Sequence, residues 1–161
     1  MAASNARPSA AADAAERELV MTRLFDAPRD MVYGAWTDPQ QAMRWWAPEG
    51  LTVVALEMDV RPGGQWRKCM RASDGKDYWR KGVYREVVAP ERLVFTYVSD
   101  DPLSAPGHET LVTVTFEKRG AKTMMTLCHS GFESKPVRDS HNRGWTSCIE
   151  RFAHYVTPAQ D

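Results

Sequence analysis

The last regular stretch, Val137 to Val156, carries apolar residues at helical spacing, and it constrains what the rest of the chain can build. Val137, His141, Trp145, Cys148, Ile149, Phe152 and Val156 fall on one face of a 3.6-residue period. Arg138, Asn142, Arg143, Glu150 and Arg151 lie mostly off it. Ser134 is placed to cap this helix, and Pro136 suits its first turn. Pro158 stops it by biasing Thr157 away from helical angles. At ~1.5 Å per residue the helix is roughly 30 Å long, about the width of a small domain. Most of the preceding chain reads as strands. One long helix with one large sheet predicts a sheet curled around the helix.

In chain order, Glu18 to Phe25 alternates loosely as a first strand. Asp26-Ala27-Pro28 opens a short helix carrying Met31, Val32, Ala35 and Trp36, with Asp26 as its expected cap. Asp38-Pro39 repeats the device for a second short helix that ends near Trp45-Trp46-Ala47-Pro48. From Thr52 the period becomes two, with Val54, Leu56, Met58 and Val60 on one face. Pro62-Gly63-Gly64 and Ser73-Asp74-Gly75 are turn signals flanking a strand in which Trp66, Lys68 and Met70 alternate with Arg67, Cys69 and Arg71. Asp77 to Val88 follows, and Gly82 within it predicts a bulge or sharp bend. Leu93, Phe95 and Tyr97 share one face of the next strand. The polar, Pro-rich run 99–107 is a loop and a candidate rim. Val112, Val114 and Phe116, then Thr123, Met125, Leu127 and His129, mark two last strands. Successive hairpins make the sheet antiparallel.

The length fits one domain, expected over residues 16–161 behind a disordered Ala- and Ser-rich tail over 1–15. Lys plus Arg and Asp plus Glu both number 21, so net charge gives no reason to expect nucleic acid or an acidic membrane. There is no apolar run of transmembrane length and no basic-then-apolar leader. Cys69, Cys128 and Cys148 are widely spaced without a CxxC pair, which points to reduced thiols in a cytoplasm.

Several local motifs occur in a fixed order: Phe25-Asp26-Ala27-Pro28, Trp45-Trp46-Ala47-Pro48-Glu49-Gly50, Asp59-Val60-Arg61-Pro62-Gly63-Gly64-Gln65-Trp66, Ala89-Pro90-Glu91-Arg92-Leu93, Thr123-Met124-Met125-Thr126-Leu127 and Gly144-Trp145. With the element order, this set resembles the START-like (SRPBCC, helix-grip, birch-pollen-allergen-like) superfamily, in the branch homologous to the activator of the heat-shock-protein-90 ATPase. The resemblance spans about Leu19 to Val156. It implies an α+β helix-grip fold: a curved antiparallel sheet of about six to seven strands wrapped around a long C-terminal helix, with two short helices after the first strand. It also implies a deep cavity between sheet and helix. It supplies no invariant catalytic set, since one fold hosts many sites.

The face assignments give the expected cavity wall: Trp66, Met70, Tyr84, Phe95, Tyr97, Met125, Leu127, His129, Trp145 and Ile149. Aromatics and Met with a few polar tips suit a flat apolar ligand, and the same residues also suit a filled core. His129 has the chemistry of a general base, although a satisfied buried histidine is the more ordinary outcome. Glu57 and Asp59 share a face opposite Val54 and Leu56, where water covers them; Asp59 is better placed to pair with Arg61. Cys128 and His129 point to opposite faces of one strand, which argues against a zinc site with His141 and Cys148. Arg67, Lys68, Arg71, Lys76, Arg80 and Lys81, with Tyr78 and Trp79 among them, read as a solvated basic hairpin rather than a nucleic-acid surface. No Walker loop, GxGxxG, GxSxG or HExxH is present.

Three function classes follow. The first is a cytoplasmic binding module, monomer or homodimer, that holds a small hydrophobic ligand and needs no cofactor or metal. The second is a cyclase- or hydratase-like enzyme using His129 or a Tyr. The third, implied by the resemblance, is an interaction protein acting on a chaperone ATPase.

Overall fold

The computed structural model describes residues 14–100 and 104–157. The expected tail falls almost wholly on residues 1–13, outside the described residues, as do Pro158 and positions 101–103 of the 99–107 loop. Seven strands form one antiparallel sheet: β1 (Glu18–Phe25), β2 (Leu51–Met58), β3 (Gln65–Ala72), β4 (Asp77–Val88), β5 (Arg92–Ser99), β6 (Glu109–Arg119) and β7 (Lys122–Ser130). Their order in space is β1-β7-β6-β5-β4-β3-β2. Strands β1 and β2 are consecutive in sequence yet occupy opposite edges. The helices α1 (Arg29–Thr37) and α2 (Pro39–Ala42) carry the chain between those edges. Helix α3 (Lys135–Val156) closes the fold against the concave face, which makes this the α+β helix-grip architecture.

Helix α3 forms where its stripe demands. The Ser134 Oγ accepts from the Val137 N–H at 3.4 Å, a proline occupies the first turn, and Thr157 ends the helix in an extended conformation. Val137, Trp145, Cys148, Ile149, Phe152 and Val156 are buried. Phe152 meets Phe25 of β1, Trp36 of α1 and Trp45 at ring-centroid distances of 5.0, 6.0 and 4.6 Å. Helix, edge strand and short helices therefore share one aromatic core, and such edge and tilted contacts add about 0.5–1.5 kcal/mol each beyond area burial.

The structure departs from the local sequence pattern at three places. Helix α1 has Pro28 at its N-cap with no side-chain bond, so Asp26 does not cap it; Asp38 does cap α2, accepting from the Gln40 N–H at 3.0 Å. In β2 the register shifts between Val53 and Ala55, so Val53 is buried and Val54 is turned out, while Leu56, Met58 and Val60 stay against the core. In β4 the register shifts between Tyr84 and Glu86, and the pairing with β5 is also interrupted at Gly82 and Val83, between Lys81↔Val98 and Tyr84↔Phe95. Gly82 instead sits beneath the Trp66 indole, whose Nε1–H reaches across it to the Thr96 carbonyl at 3.1 Å.

Candidate functional site

Alternation along β3 puts Trp66, Lys68 and Met70 on the concave face, all buried. Pairing of β3 with β4 sets Lys68 directly opposite Arg80, so both basic side chains face inward together. Strand β5 adds Tyr97, and α3 lays Ser140, His141, Gly144, Trp145 and Cys148 over them. The segment after α2 supplies Trp46 and Pro48, and the start of β2 supplies Leu51. These residues line a half-open cavity of about 170 Å3.

The segment carrying Trp46 is tied to the helix. Arg151 Nη1 donates to the carbonyls of Ala47 and Leu51 at 2.9 and 3.1 Å, and Ser147 Oγ accepts from the Glu49 N–H at 2.7 Å. That tie fixes the Trp46 carbonyl, which accepts from Lys68 Nζ at 2.9 Å, while the same ammonium lies 4.1 Å from the centre of the Trp46 ring. Lys68 is only 2% exposed. Burial pushes its pKa from 10.5 down to about 7, with the Arg80 charge adding to that fall. Arg80 differs because it has a counter-ion: its Nη1 meets Asp100 Oδ1 at 2.6 Å, and it remains a cation. Burial raises the Cys148 thiol to about 11, with Lys68, Arg151 and Arg80 only partly offsetting it, so it is neutral at pH 7.

Composition places both cations on a solvated hairpin, whereas in the structure both line the cavity, Lys68 at 2% exposure and the Arg80 side chain at 11%. The signal was present in the alternation: the phase that turns Trp66 and Met70 inward carries Lys68 with them. Of the expected wall residues, Met70, Tyr97 and Trp145 border the cavity. Trp66, Tyr84, Phe95, Met125, Leu127, His129 and Ile149 are buried in the surrounding core. The Trp66 ring packs against Trp46, Phe95 and Tyr97, which leaves it no cavity edge to present.

His129 is fully bonded. Trp145 Nε1–H donates to its Nδ1 at 3.0 Å, which fixes the other tautomer: Nε2–H faces Thr110 Oγ1 at 2.6 Å, and that hydroxyl donates to the Tyr97 carbonyl at 2.9 Å. Burial, with His141 adding to it, holds its pKa well below 6.5. The relay braces α3 against β5, β6 and β7 with a neutral imidazole. The sign of its pH effect follows. The unfolded chain takes up a proton near pH 6.5 that folded His129 refuses, so stability is lost as pH falls through that value. Urea midpoints should drop between pH 7 and 5.5, and His129→Gln should flatten that drop.

The other candidates lie on the surface. Glu57 and Asp59 are exposed, and Arg61 Nε meets Asp59 Oδ2 at 2.8 Å. Cys128 turns away from His129 and donates to Glu18 Oε1 at 2.9 Å. Among the described residues no group of three His, Cys, Asp or Glu could hold a metal ion. A larger groove beside Trp79 and Lys81 is bordered by residues 104–107, next to positions outside the described residues. The described residues of the 99–107 loop do not border the cavity under α3. No helix among the described residues is long and apolar enough to cross a membrane.

Gly144 occupies the helix turn over the cavity. A Cβ built there meets no atom within 4 Å. Glycine inside a helix costs roughly 0.5–1 kcal/mol against alanine. Gly144→Ala should therefore raise the unfolding free energy by about that amount, measured by urea melts, while Gly144→Leu should fold and fill the opening.

A curled antiparallel sheet gripping a long C-terminal helix, with a walled cavity between them, defines a START-like protein. Residues 26–157 match the profile of the family described as activator of Hsp90 ATPase homolog 1-like protein, and the chain belongs to that family. Solved structures agree. A protein from Chromobacterium violaceum is 26% identical with a TM-score of 0.81, covering 89% of this chain and 99% of that one. An AHSA1 protein from Silicibacter pomeroyi is 27% identical with a TM-score of 0.75, covering 85% of this chain and 95% of that one. A protein from Arthrobacter aurescens, solved by NMR, is 25% identical with a TM-score of 0.77, covering 89% of this chain and 88% of that one. No curated protein matches the sequence.

Proposed function

We propose that the protein binds a small apolar or aromatic molecule in the cavity between β3–β5 and α3. The observation that carries this reading is the cavity itself. It is about 170 Å3, walled by the rings of Trp46, Tyr97 and Trp145 and by Met70, with Gly144 leaving open space in the helix above it. A cavity of ~150 Å3 lined by apolar side chains admits a single benzene ring. The three cysteines are free thiols, which fits a reducing, cytoplasmic setting.

The test uses neutral single-ring probes, benzamide and benzyl alcohol, followed by tryptophan fluorescence and by calorimetry. Saturable 1:1 binding that Gly144→Leu abolishes supports the reading. Absence of saturable binding of these probes and of benzoate to the folded wild type overturns it. Native mass spectrometry of freshly purified protein searches for the resident molecule directly. The family description favours a second reading, stimulation of a chaperone ATPase. Assaying Hsp90 ATPase turnover with and without the protein separates the two.

A further inference from the structure

The cavity's charge is unbalanced in one direction. Lys68 and Arg80 are register partners on neighbouring strands and face the same buried space. Like charges directly opposite one another destabilise a strand pair, and a buried cation without a counter-ion is costly. Arg80 is compensated by Asp100 at 2.6 Å. Lys68 is not compensated: among the described residues no carboxylate lies within ion-pair distance of its Nζ, and the cavity lining contains neither Asp nor Glu. An ammonium has three donors, and here one carbonyl, that of Trp46, accepts at 2.9 Å. The other polar groups on the wall are uncharged or basic: the Tyr97 hydroxyl, Ser140, His141 and the neutral Cys148 thiol.

We infer that the cavity holds a small aromatic acid, whose carboxylate docks on Lys68 Nζ and whose ring lies among Trp46, Met70 and Trp145. This deepens the binding reading above and rests on it. A carboxylate supplies what the site lacks: one negative charge at the floor and two acceptor oxygens for the remaining ammonium protons. The apolar wall accounts for the ring. The groups facing Lys68 are Trp46 from the segment before β2, Arg80 from β4 and Cys148 from α3. Arrival of an anion among them favours the protonated amine, so binding above neutral pH takes up a proton.

The probes are benzoate and its neutral isostere benzamide, titrated calorimetrically at pH 8 in HEPES and in Tris. Wild type should bind benzoate at least tenfold more tightly than benzamide. Its apparent enthalpy should differ between the buffers by the amount that net proton uptake predicts. Lys68→Met should bind both probes alike and lose the uptake. Equal binding of the two probes by wild type, or benzoate binding without uptake, overturns the acid-binding inference and leaves the cavity reading standing. Failure of both probes overturns the cavity reading and this one with it. The two wild-type measurements decide the matter even if the variant does not fold.

Discussion

Gly82→Ala is expected to destabilise the protein by about 3–5 kcal/mol, enough to leave much of it unfolded at ambient temperature. A Cβ at this position would lie 1.8 Å from the Thr96 carbonyl oxygen and 2.5 Å from Trp66 Nε1. The first neighbour is β5 backbone, held by the β5–β6 ladder at Thr96↔Leu111, so it cannot swing aside. The second is an indole that is 1% exposed and bonded to that same carbonyl. One methyl group therefore separates two strands and breaks a buried hydrogen bond. An unsatisfied buried donor costs about 1–3 kcal/mol, and overpacking about as much again. Chemical denaturation of the variant measures the loss; a change under 1 kcal/mol would show that the Trp66 crossing does not need the glycine. The effect should reach the cavity as well, since Trp66 packs against Trp46, which holds Lys68.

Gly82 also shows where sequence reading reaches its limit. A glycine inside a strand signals a bulge or a close approach, and nothing local says which. The register shifts between Val53 and Ala55 and between Tyr84 and Glu86 carry no Gly or Pro to mark them. The long helix, its cap and its buried stripe were legible because they depend only on local spacing. Lys68 was legible in principle. Two rules competed there: basic composition put it in water, and alternation between Trp66 and Met70 put it inside. The phase prevailed because burying Trp66 fixes the strand's orientation, and every second residue must follow. Arg80 then follows from Lys68 through the register of a hairpin closed at Ser73-Asp74-Gly75. The state of His129 was not legible. Its partners Thr110 and Trp145 lie on β6 and α3, and only the assembled grip brings them to its two nitrogens.

Membership in the family fixes the scaffold without fixing the chemistry. The description shared by the family refers to a chaperone ATPase, whereas the most unusual local feature of this chain is internal: a basic pair under the helix. An interaction surface for another protein does not require buried cations. A cavity meant only to be filled would hold apolar side chains at these positions, at lower cost. The basic pair therefore weighs towards a small molecule inside the grip.

Lys68→Met should make the unliganded protein more stable at pH 7, by about 2 kcal/mol net. Methionine is a long, flexible side chain that can fill the same groove without a charge. Burial displaces the Lys68 pKa from 10.5 to about 7, which is worth about 4–5 kcal/mol of destabilisation at and below neutral pH. Against this, the variant loses the bond to the Trp46 carbonyl and the contact with its ring, together about 1–3 kcal/mol. The pH dependence has a definite sign. Between pH 7 and 10.5 the unfolded chain keeps a proton that the folded amine has released, so wild-type stability rises with pH across that window. Below pH 7 both states are protonated and the full penalty applies. The advantage of Lys68→Met should therefore be largest at and below pH 7 and shrink steadily by pH 9.5, read as the difference between the two proteins in urea at each pH. Comparing the pair cancels the other titrating groups. A variant less stable than wild type at pH 7, or a difference that does not change with pH, would mean that the Lys68 ammonium is well solvated or already paired, and that the cavity floor carries no unmet charge.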